Sequence, residues 1–178
     1  YTQPQLMKGE LLLVTQNNLS TGLMNGDLVV VRSVGDRQQV RANLTFLNVE
    51  VEELASKRAH SIMLIADILY SSYVNLTQEQ QKDLFIDFYR RERRKGVKEK
   101  DNMFKHDLMN DPYLNALRAV FGYAITCHKS QGGEWNKVFV DIPRRMSHEP
   151  DRSTYQWLYT AMTRASETLY VANDFFIV

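Results

Sequence analysis

The chain has 178 residues, of which 44% are hydrophobic and 24% are charged, and its formal net charge is +1. These values are ordinary for a globular protein, and so small a net charge excludes a general electrostatic case for nucleic-acid binding. The single cysteine, Cys127, excludes an internal disulfide framework. It is typical of a reducing compartment, so we expect a cytoplasmic protein. No apolar run approaches the roughly 18 residues that a membrane span needs.

The N-terminal part of the chain has the pattern of short strands joined by tight turns. Asn25-Gly26-Asp27 and Gly35-Asp36 are turn signals. Apolar runs or alternation of apolar and polar residues predict strands over 10–15, 28–34, 39–46 and 60–70. Such a series of short strands is typical of a small antiparallel barrel.

The middle of the chain predicts a helix that ends in a basic stretch. Thr77 and Gln80 fit a capping box, and apolar residues recur at helical spacing up to Tyr89. The following residues, 90–100, are rich in Arg and Lys. A solvated helix end explains them more simply than a patch for a DNA backbone. Pro112 predicts a further short helix over 113–117.

A polar elbow lies between two apolar runs near the C-terminus. The runs, 120–125 and 138–142, predict buried strands of an α/β sheet, and residues 128–134 between them read His-Lys-Ser-Gln-Gly-Gly-Glu. Ligands commonly bind at such a strand end, and Lys129 with the following donors and glycines suits a phosphate partner. If Ser130 opens a helical turn, its free N–H groups add an anion site.

The last predicted helix follows the elbow. Ser153 and Gln156 fit a second capping box, and a stripe of apolar residues from Trp157 to Ala165 predicts a buried face. A strand over 168–171 follows. Strand, helix and strand in this order predict a parallel pair.

Two of these segments resemble a known family. Residues 126–134 resemble motif V of superfamily 1 helicases, and residues 159–165, Tyr-Thr-Ala-Met-Thr-Arg-Ala, resemble motif VI, in the family's order. The His-Lys-Ser-Gln-Gly wording is similar to the RecD-like and Dda-like branch. Residues 8–27 resemble the SH3-like insertion of that branch.

The resemblance implies an α/β fold: a partial RecA-like parallel-sheet domain into which a small antiparallel SH3-like β-barrel is inserted. It implies that residues 1–109 form the barrel with a helical extension. Residues 110–178 then form the C-terminal half of the second RecA-like domain.

The resemblance also implies roles for individual residues. Arg164 is the expected catalytic residue, an arginine finger for ATP hydrolysis, although its local pattern alone favours a surface arginine. ATP contacts are expected from four residues of the two motifs: Gly132, Gly133, Glu134 and Arg164. Single-stranded DNA contacts are expected from five residues of motif V: Thr126, His128, Lys129, Ser130 and Gln131. Four scattered histidines and one cysteine make no ligand cluster, so no metal site is expected within the chain.

The sequence has no Gly-x-x-x-x-Gly-Lys-Ser/Thr phosphate loop. The resemblance then implies that ATP and Mg²⁺ are bound mainly by a preceding RecA-like domain of a longer chain, and that this segment alone is inactive. The expected function is that of the C-terminal part of an ATP-dependent DNA helicase, 5′–3′ in polarity, acting on single-stranded DNA or a duplex junction. Two alternatives stay open: a non-catalytic module that binds nucleic acid or protein, and a UvrD-like 3′–5′ helicase.

Overall fold

The computed structural model describes residues 5–147 and 151–172. The chain divides into two units, Tyr1–Tyr123 and Ala124–Val178. The predicted boundary after residue 109, between the inserted barrel and the RecA-like part, stays a prediction. The compact units separate later along the chain because residues 119–121 pair with the first strand of the first unit.

The first unit is built on a five-stranded antiparallel sheet in the order β4-β3-β2-β1-β5. Its strands are β1 (Leu11–Val14), β2 (Leu28–Arg41), β3 (Leu44–Glu53), β4 (Ala59–Ile65) and β5 (Ala119–Phe121). β1 is apolar throughout and contributes Leu12 and Val14, both 0% exposed, to the main core. Burial of such apolar residues is the main stabilising contribution to a sheet of this kind.

The predicted small antiparallel barrel is not confirmed, because the strand order of the sheet is open and no closed barrel is found among the described residues. The sheet is curved enough that Leu64 of β4 forms an isolated parallel bridge with Leu117, just before β5. In that bridge the Leu117 N–H donates to the Met63 carbonyl at 2.6 Å. One bridge brings two edges of a sheet together without completing a ladder between them.

The predicted turn at Gly35-Asp36 is wrong, since β2 continues to Arg41. The chain reverses instead at Ala42 and Asn43, whose φ angles of 47° and 58° are those of a two-residue hairpin turn. Gly35 lies where the β2–β3 register is irregular, and a Cβ there would meet the Asn48 carbonyl oxygen at 3.2 Å. Its glycine therefore allows a close strand approach rather than a turn.

The first unit has three helices, α1 (Ala66–Leu69), α2 (Gln78–Arg94) and α3 (Asn102–Asn110). α1 and α2 pack against the sheet, and α3 packs on α2. The predicted capping box is confirmed, with Thr77 and Gln80 exchanging side chain to backbone hydrogen bonds. The helix predicted over 113–117 is wrong. Asp111 instead accepts hydrogen bonds from the N–H groups of Tyr113 and Leu114 and holds a turn.

The basic end of α2 is partly neutralised by carboxylates. Arg91 lies 2.9 Å from Asp87 and 2.6 Å from Asp111, and Lys95 lies 2.7 Å from the buried carboxylate of Glu92. These pairs favour the helix-end interpretation of the stretch over that of a DNA-binding patch.

The second unit contains a parallel pair of strands, β6 (Trp135–Val140) and β7 (Ala165–Val171), joined through α4 (Arg152–Met162). This confirms the predicted parallel pair around a helix. The prediction that the run 120–125 is a strand of the same sheet is wrong, because β5 pairs with β1 in the first unit. The core of the unit is apolar. It is formed by Val140 and Ile142, at and just after the end of β6, and by Leu158 and Ala161 of α4. Two short 3₁₀ helices, Cys127–Ser130 and Arg144–Ser147, complete its described part.

In the ranges 5–147 and 151–172, no helix has the length and apolar character required to span a membrane.

Candidate functional site

The polar elbow begins with a 3₁₀ turn that starts earlier than predicted. Thr126, not Ser130, caps it: the Thr126 hydroxyl accepts a hydrogen bond from the Lys129 N–H at 3.4 Å. Ser130 ends the turn, is 6% exposed, and donates its hydroxyl hydrogen to the Cys127 carbonyl at 2.7 Å. The Ser130 side chain therefore stabilises the turn, whereas His128 and Lys129 are exposed on its outer side.

Two glycines follow the turn, and each position favours glycine for a different reason. Gly132 has a φ of 83°, a left-handed conformation that favours glycine. Gly133 lies against the indole ring of Trp135, which would overlap any Cβ at that position. Glu134, which lies between Gly133 and Trp135 in the chain, is exposed. The elbow is therefore held in one shape by backbone geometry and by an aromatic ring.

Arg164 joins the end of α4 to the elbow. Its guanidinium donates from one terminal nitrogen to the Gly133 carbonyl at 2.9 Å and from the other to the Thr163 hydroxyl at 3.1 Å. Its Nε donates to the Thr160 carbonyl at 3.0 Å. These bonds use three of the five N–H donors of an arginine. The structure thus brings together Gly133 and Arg164, two residues predicted to contact ATP.

The positive charge of Arg164 also acts on the cysteine of the elbow. Burial raises the pKa of the Cys127 thiol, and the charge of Arg164 opposes that rise. The Sγ atom of Cys127 lies 3.4 Å from the Trp157 carbonyl oxygen of α4. The thiol is thus a packed group between the elbow and the helix.

Asp151 caps α4, a role that the sequence pattern assigned to Ser153. Its carboxylate accepts hydrogen bonds from the Thr154 N–H at 2.8 Å, from the Thr154 hydroxyl at 2.9 Å and from the Ser153 hydroxyl at 2.7 Å. These bonds favour the ionised form and lower the pKa of Asp151 from 3.8 to about 2. An aspartate two residues before the predicted cap was a sequence signal that competed with the capping box.

We expect the start of α4 to lose stability in acid. The folded pKa of Asp151 lies below its unfolded value. The ionised carboxylate therefore stabilises the start of α4 above pH 3.8, and this stabilisation is lost as the pH falls toward about 2. The protection of the Thr154 amide against hydrogen exchange, relative to its intrinsic rate at each pH, should fall across that window. In Asp151→Asn, which keeps an acceptor oxygen but does not titrate, this fall should be absent. An identical pH dependence in both proteins would contradict the assignment.

An open cleft of about 1050 Å³ lies between the elbow and α4. His128 and Gln131, two of the predicted DNA contacts, line one side, and Tyr155 and Tyr159 line the other. Both tyrosines are exposed, Tyr159 by 72%. The expectation that residues of the motif VI stripe pack inside holds for Leu158 and Ala161 but fails for Met162, which is 48% exposed. The cleft therefore offers polar groups and aromatic rings together.

A family model described as the UvrD-like helicase C-terminal domain matches residues 121–172. This segment contains the elbow, β6, α4, Arg164 and β7.

Two curated relatives match parts of the chain. The uncharacterized protein R530 of Acanthamoeba polyphaga mimivirus is 32% identical over 108 residues, which are 59% of this chain and 21% of that protein. The uncharacterized protein MJ1519 of Methanocaldococcus jannaschii is 38% identical over 61 residues, 34% of this chain and 5% of that protein. The chain thus spans only a small part of the curated relatives that it matches.

Among solved structures, the fold is similar to that of a Pif1 helicase from Bacteroides, crystallised with ADP-AlF3 and ssDNA. The TM-score is 0.50 at 16% identity, and the match covers 98% of this chain and 30% of that one. Residues 121–172 are thus similar to the UvrD-like helicase C-terminal domain, and the fold of the chain is similar to that of part of this Pif1 helicase.

Proposed function

We propose that this chain is the C-terminal part of an ATP-dependent DNA helicase, and that it supplies an arginine finger and contacts to single-stranded DNA. The observation that carries the proposal is the hydrogen bond between the Arg164 guanidinium and the Gly133 carbonyl. It links the segment that resembles motif VI to the segment that resembles motif V. A movement of Arg164 in response to a change at a nearby phosphate group would therefore be transmitted to the elbow through this hydrogen bond.

In this proposal Arg164 stabilises the charge that develops on the transferred phosphoryl group. An arginine serves this purpose well because it stays protonated and presents several donors in a fixed plane. Gly132, Gly133 and Glu134 contribute to the nucleotide site from the elbow. Within residues 5–147 and 151–172, no group of three His, Cys, Asp or Glu residues is placed to hold a metal ion.

The DNA contacts would come from the exposed outer side of the 3₁₀ turn. His128, Lys129 and Gln131 are exposed and provide one cation and several hydrogen-bonding groups. Such groups bind phosphates and position a strand without reading its sequence. The exposed rings of Tyr155 and Tyr159 could stack on bases in the same cleft. Thr126 and Ser130 would act mainly by holding the turn.

The open sheet of the first unit would correspond to the SH3-like insertion of the RecD-like branch. Its position before the elbow in the chain supports this part of the proposal. In this arrangement the sheet guides a DNA strand, and the ATP site is completed by a preceding RecA-like domain of a longer protein.

The direct test is strand displacement by the longer protein, with ATP, on duplexes that carry either a 5′ or a 3′ single-stranded tail. Unwinding from the 5′ tail alone supports the RecD-like assignment. Unwinding from the 3′ tail alone would keep the helicase and move it to the UvrD-like branch. Absence of both unwinding and DNA-stimulated ATP hydrolysis would favour a non-catalytic binding module.

Lys129→Ala should weaken the binding of single-stranded DNA and make it less dependent on salt. Each phosphate contact contributes about 0.7 to the slope of log K against log salt for single strands, so the slope should fall by about that amount. The measurement is fluorescence anisotropy of a labelled oligothymidine at several salt concentrations. Lys137→Ala, which removes an exposed lysine from β6, is the matched control. Equal slopes for the Lys129 variant and the unmodified chain would remove Lys129 from the DNA contacts.

A further inference from the structure

A second polar pocket lies within the first unit. It has a volume of about 110 Å³ and is lined by Arg118 and by four amide residues, Gln16, Asn17, Asn18 and Asn115. Arg118 directly precedes β5 and is only 9% exposed. The volume has room for a few water-sized groups, which suits a tetrahedral oxyanion and not a nucleoside.

Arg118 is held firmly in this pocket. Its carbonyl oxygen accepts hydrogen bonds from the Thr15 N–H at 2.9 Å and from the Thr15 hydroxyl at 3.1 Å. One terminal nitrogen of its guanidinium donates to the Gln16 side-chain oxygen at 2.8 Å and to the Asn75 side-chain oxygen at 2.9 Å. Both acceptors are neutral amides, so they satisfy donors without cancelling the charge.

No carboxylate forms an ion pair with Arg118 in the described part of the chain. Arg91 of the same unit, by contrast, has the usual counter-ions, since it forms ion pairs with both Asp87 and Asp111. Burial lowers the pKa of Arg118, whereas at Arg91 the effect of burial is outweighed by the two carboxylates, which raise the pKa. A cation buried without a counter-ion is costly, and an anion in the pocket would remove that cost.

We propose that this pocket binds a phosphate group, with the Arg118 guanidinium as its cation and the side-chain amide nitrogens of Gln16 and Asn17 as further donors. The amide nitrogens of Asn18 and Asn115 already donate to backbone carbonyls and hold the wall of the pocket. Guanidinium groups bind phosphates through charge-assisted hydrogen bonds. The phosphate would come either from a nucleic-acid backbone or from a free anion. The inference is independent of the role proposed for Arg164, since the pocket lies wholly within the first unit.

The test begins with the full chain and inorganic phosphate, with sodium chloride used to keep the ionic strength constant. The side-chain amide resonances of Gln16, Asn17 and Asn18 should shift and saturate with phosphate in a two-dimensional NMR titration. Arg118→Gln should lower the phosphate affinity by about tenfold or more, since it removes a charge-assisted contact. Absence of saturable shifts in the unmodified chain would overturn the proposal.

A second variant tests the proposal independently, in case Arg118→Gln does not fold. Gln16→Glu places a carboxylate at the position that already accepts from the guanidinium. It should raise the thermal unfolding midpoint and abolish the phosphate-induced shifts of Asn17 and Asn18. Gln38→Glu makes the same charge change at an exposed site on β2 and should do neither. Phosphate affinity in Gln16→Glu equal to that of the unmodified chain would also overturn the proposal.

Oligothymidine binding separates the two sources of phosphate. If the pocket holds a backbone phosphate, Gln16→Glu should reduce the salt slope of DNA binding by about 0.7 relative to Gln38→Glu. If the slopes agree while inorganic phosphate still binds, the pocket is a site for a free phosphate or a phosphorylated small molecule. Failure of the Arg164 predictions would leave both of these outcomes unaffected.

Discussion

Arg164→Ala is expected to lower DNA-stimulated ATP hydrolysis by the longer protein by about 10³–10⁵-fold, the range found for arginine fingers. The binding of single-stranded DNA should stay nearly unchanged, because the exposed side of the 3₁₀ turn does not include Arg164. The measurements are steady-state ATP hydrolysis with and without oligothymidine, and anisotropy of the labelled strand. Normal hydrolysis in the variant would refute the assignment of Arg164.

The contacts of Arg164 require a control for stability. Its side chain donates to Gly133 and Thr160, so its removal could also loosen the elbow. Arg164→Lys keeps a positive charge but loses the fork of donors, and it should rescue little of the rate. Arg58→Ala removes an exposed arginine between β3 and β4 and should leave hydrolysis unchanged. A rate loss in Arg164→Ala that follows a lowered unfolding midpoint would point to a structural role.

Phe46→Ala should destabilise the first unit by about 3–5 kcal/mol, the usual cost of truncating a buried phenylalanine. Phe46 is 0% exposed and packs edge-to-face on Tyr113, with 5.2 Å between ring centroids. It also lies in a cluster with residues of β4 and α2, including Ile65 and Leu84. Truncation would therefore leave a cavity between the sheet and the helices. Urea unfolding followed by circular dichroism measures the loss.

The matched control for this prediction lies on the neighbouring strand. Val40 of β2 is 70% exposed, so Val40→Ala should change the free energy of unfolding by less than about 1 kcal/mol. Phe46→Leu, which keeps most of the apolar volume, should fall between the two variants. If Phe46→Ala were no more destabilising than Val40→Ala, the packing of this second core cluster would be wrong.

Local sequence rules worked where a structural signal needs only a few neighbouring residues. The capping box at Thr77, the strand of four apolar residues at β1 and the parallel pair around α4 were all predictable in this way. They failed where distant residues decided between two local options. The Gly35-Asp36 turn signal was overridden because β2 pairs with β3 on both sides of it. The cap of α4 failed for a different, local reason: two capping patterns overlap, and it is Asp151, not Ser153, that accepts from the Thr154 N–H.

The candidate site shows the same division. The residue types of the elbow and of the segment around Arg164, and their order along the chain, were sufficient to indicate the helicase resemblance. The bond from Arg164 to Gly133 was not predictable, because the two residues meet only when α4 packs against β6. Likewise, the sequence shows Arg118 as one cation among 22. Only the tertiary structure buries it beside neutral amides, since charge compensation depends on which side chains the fold places around it.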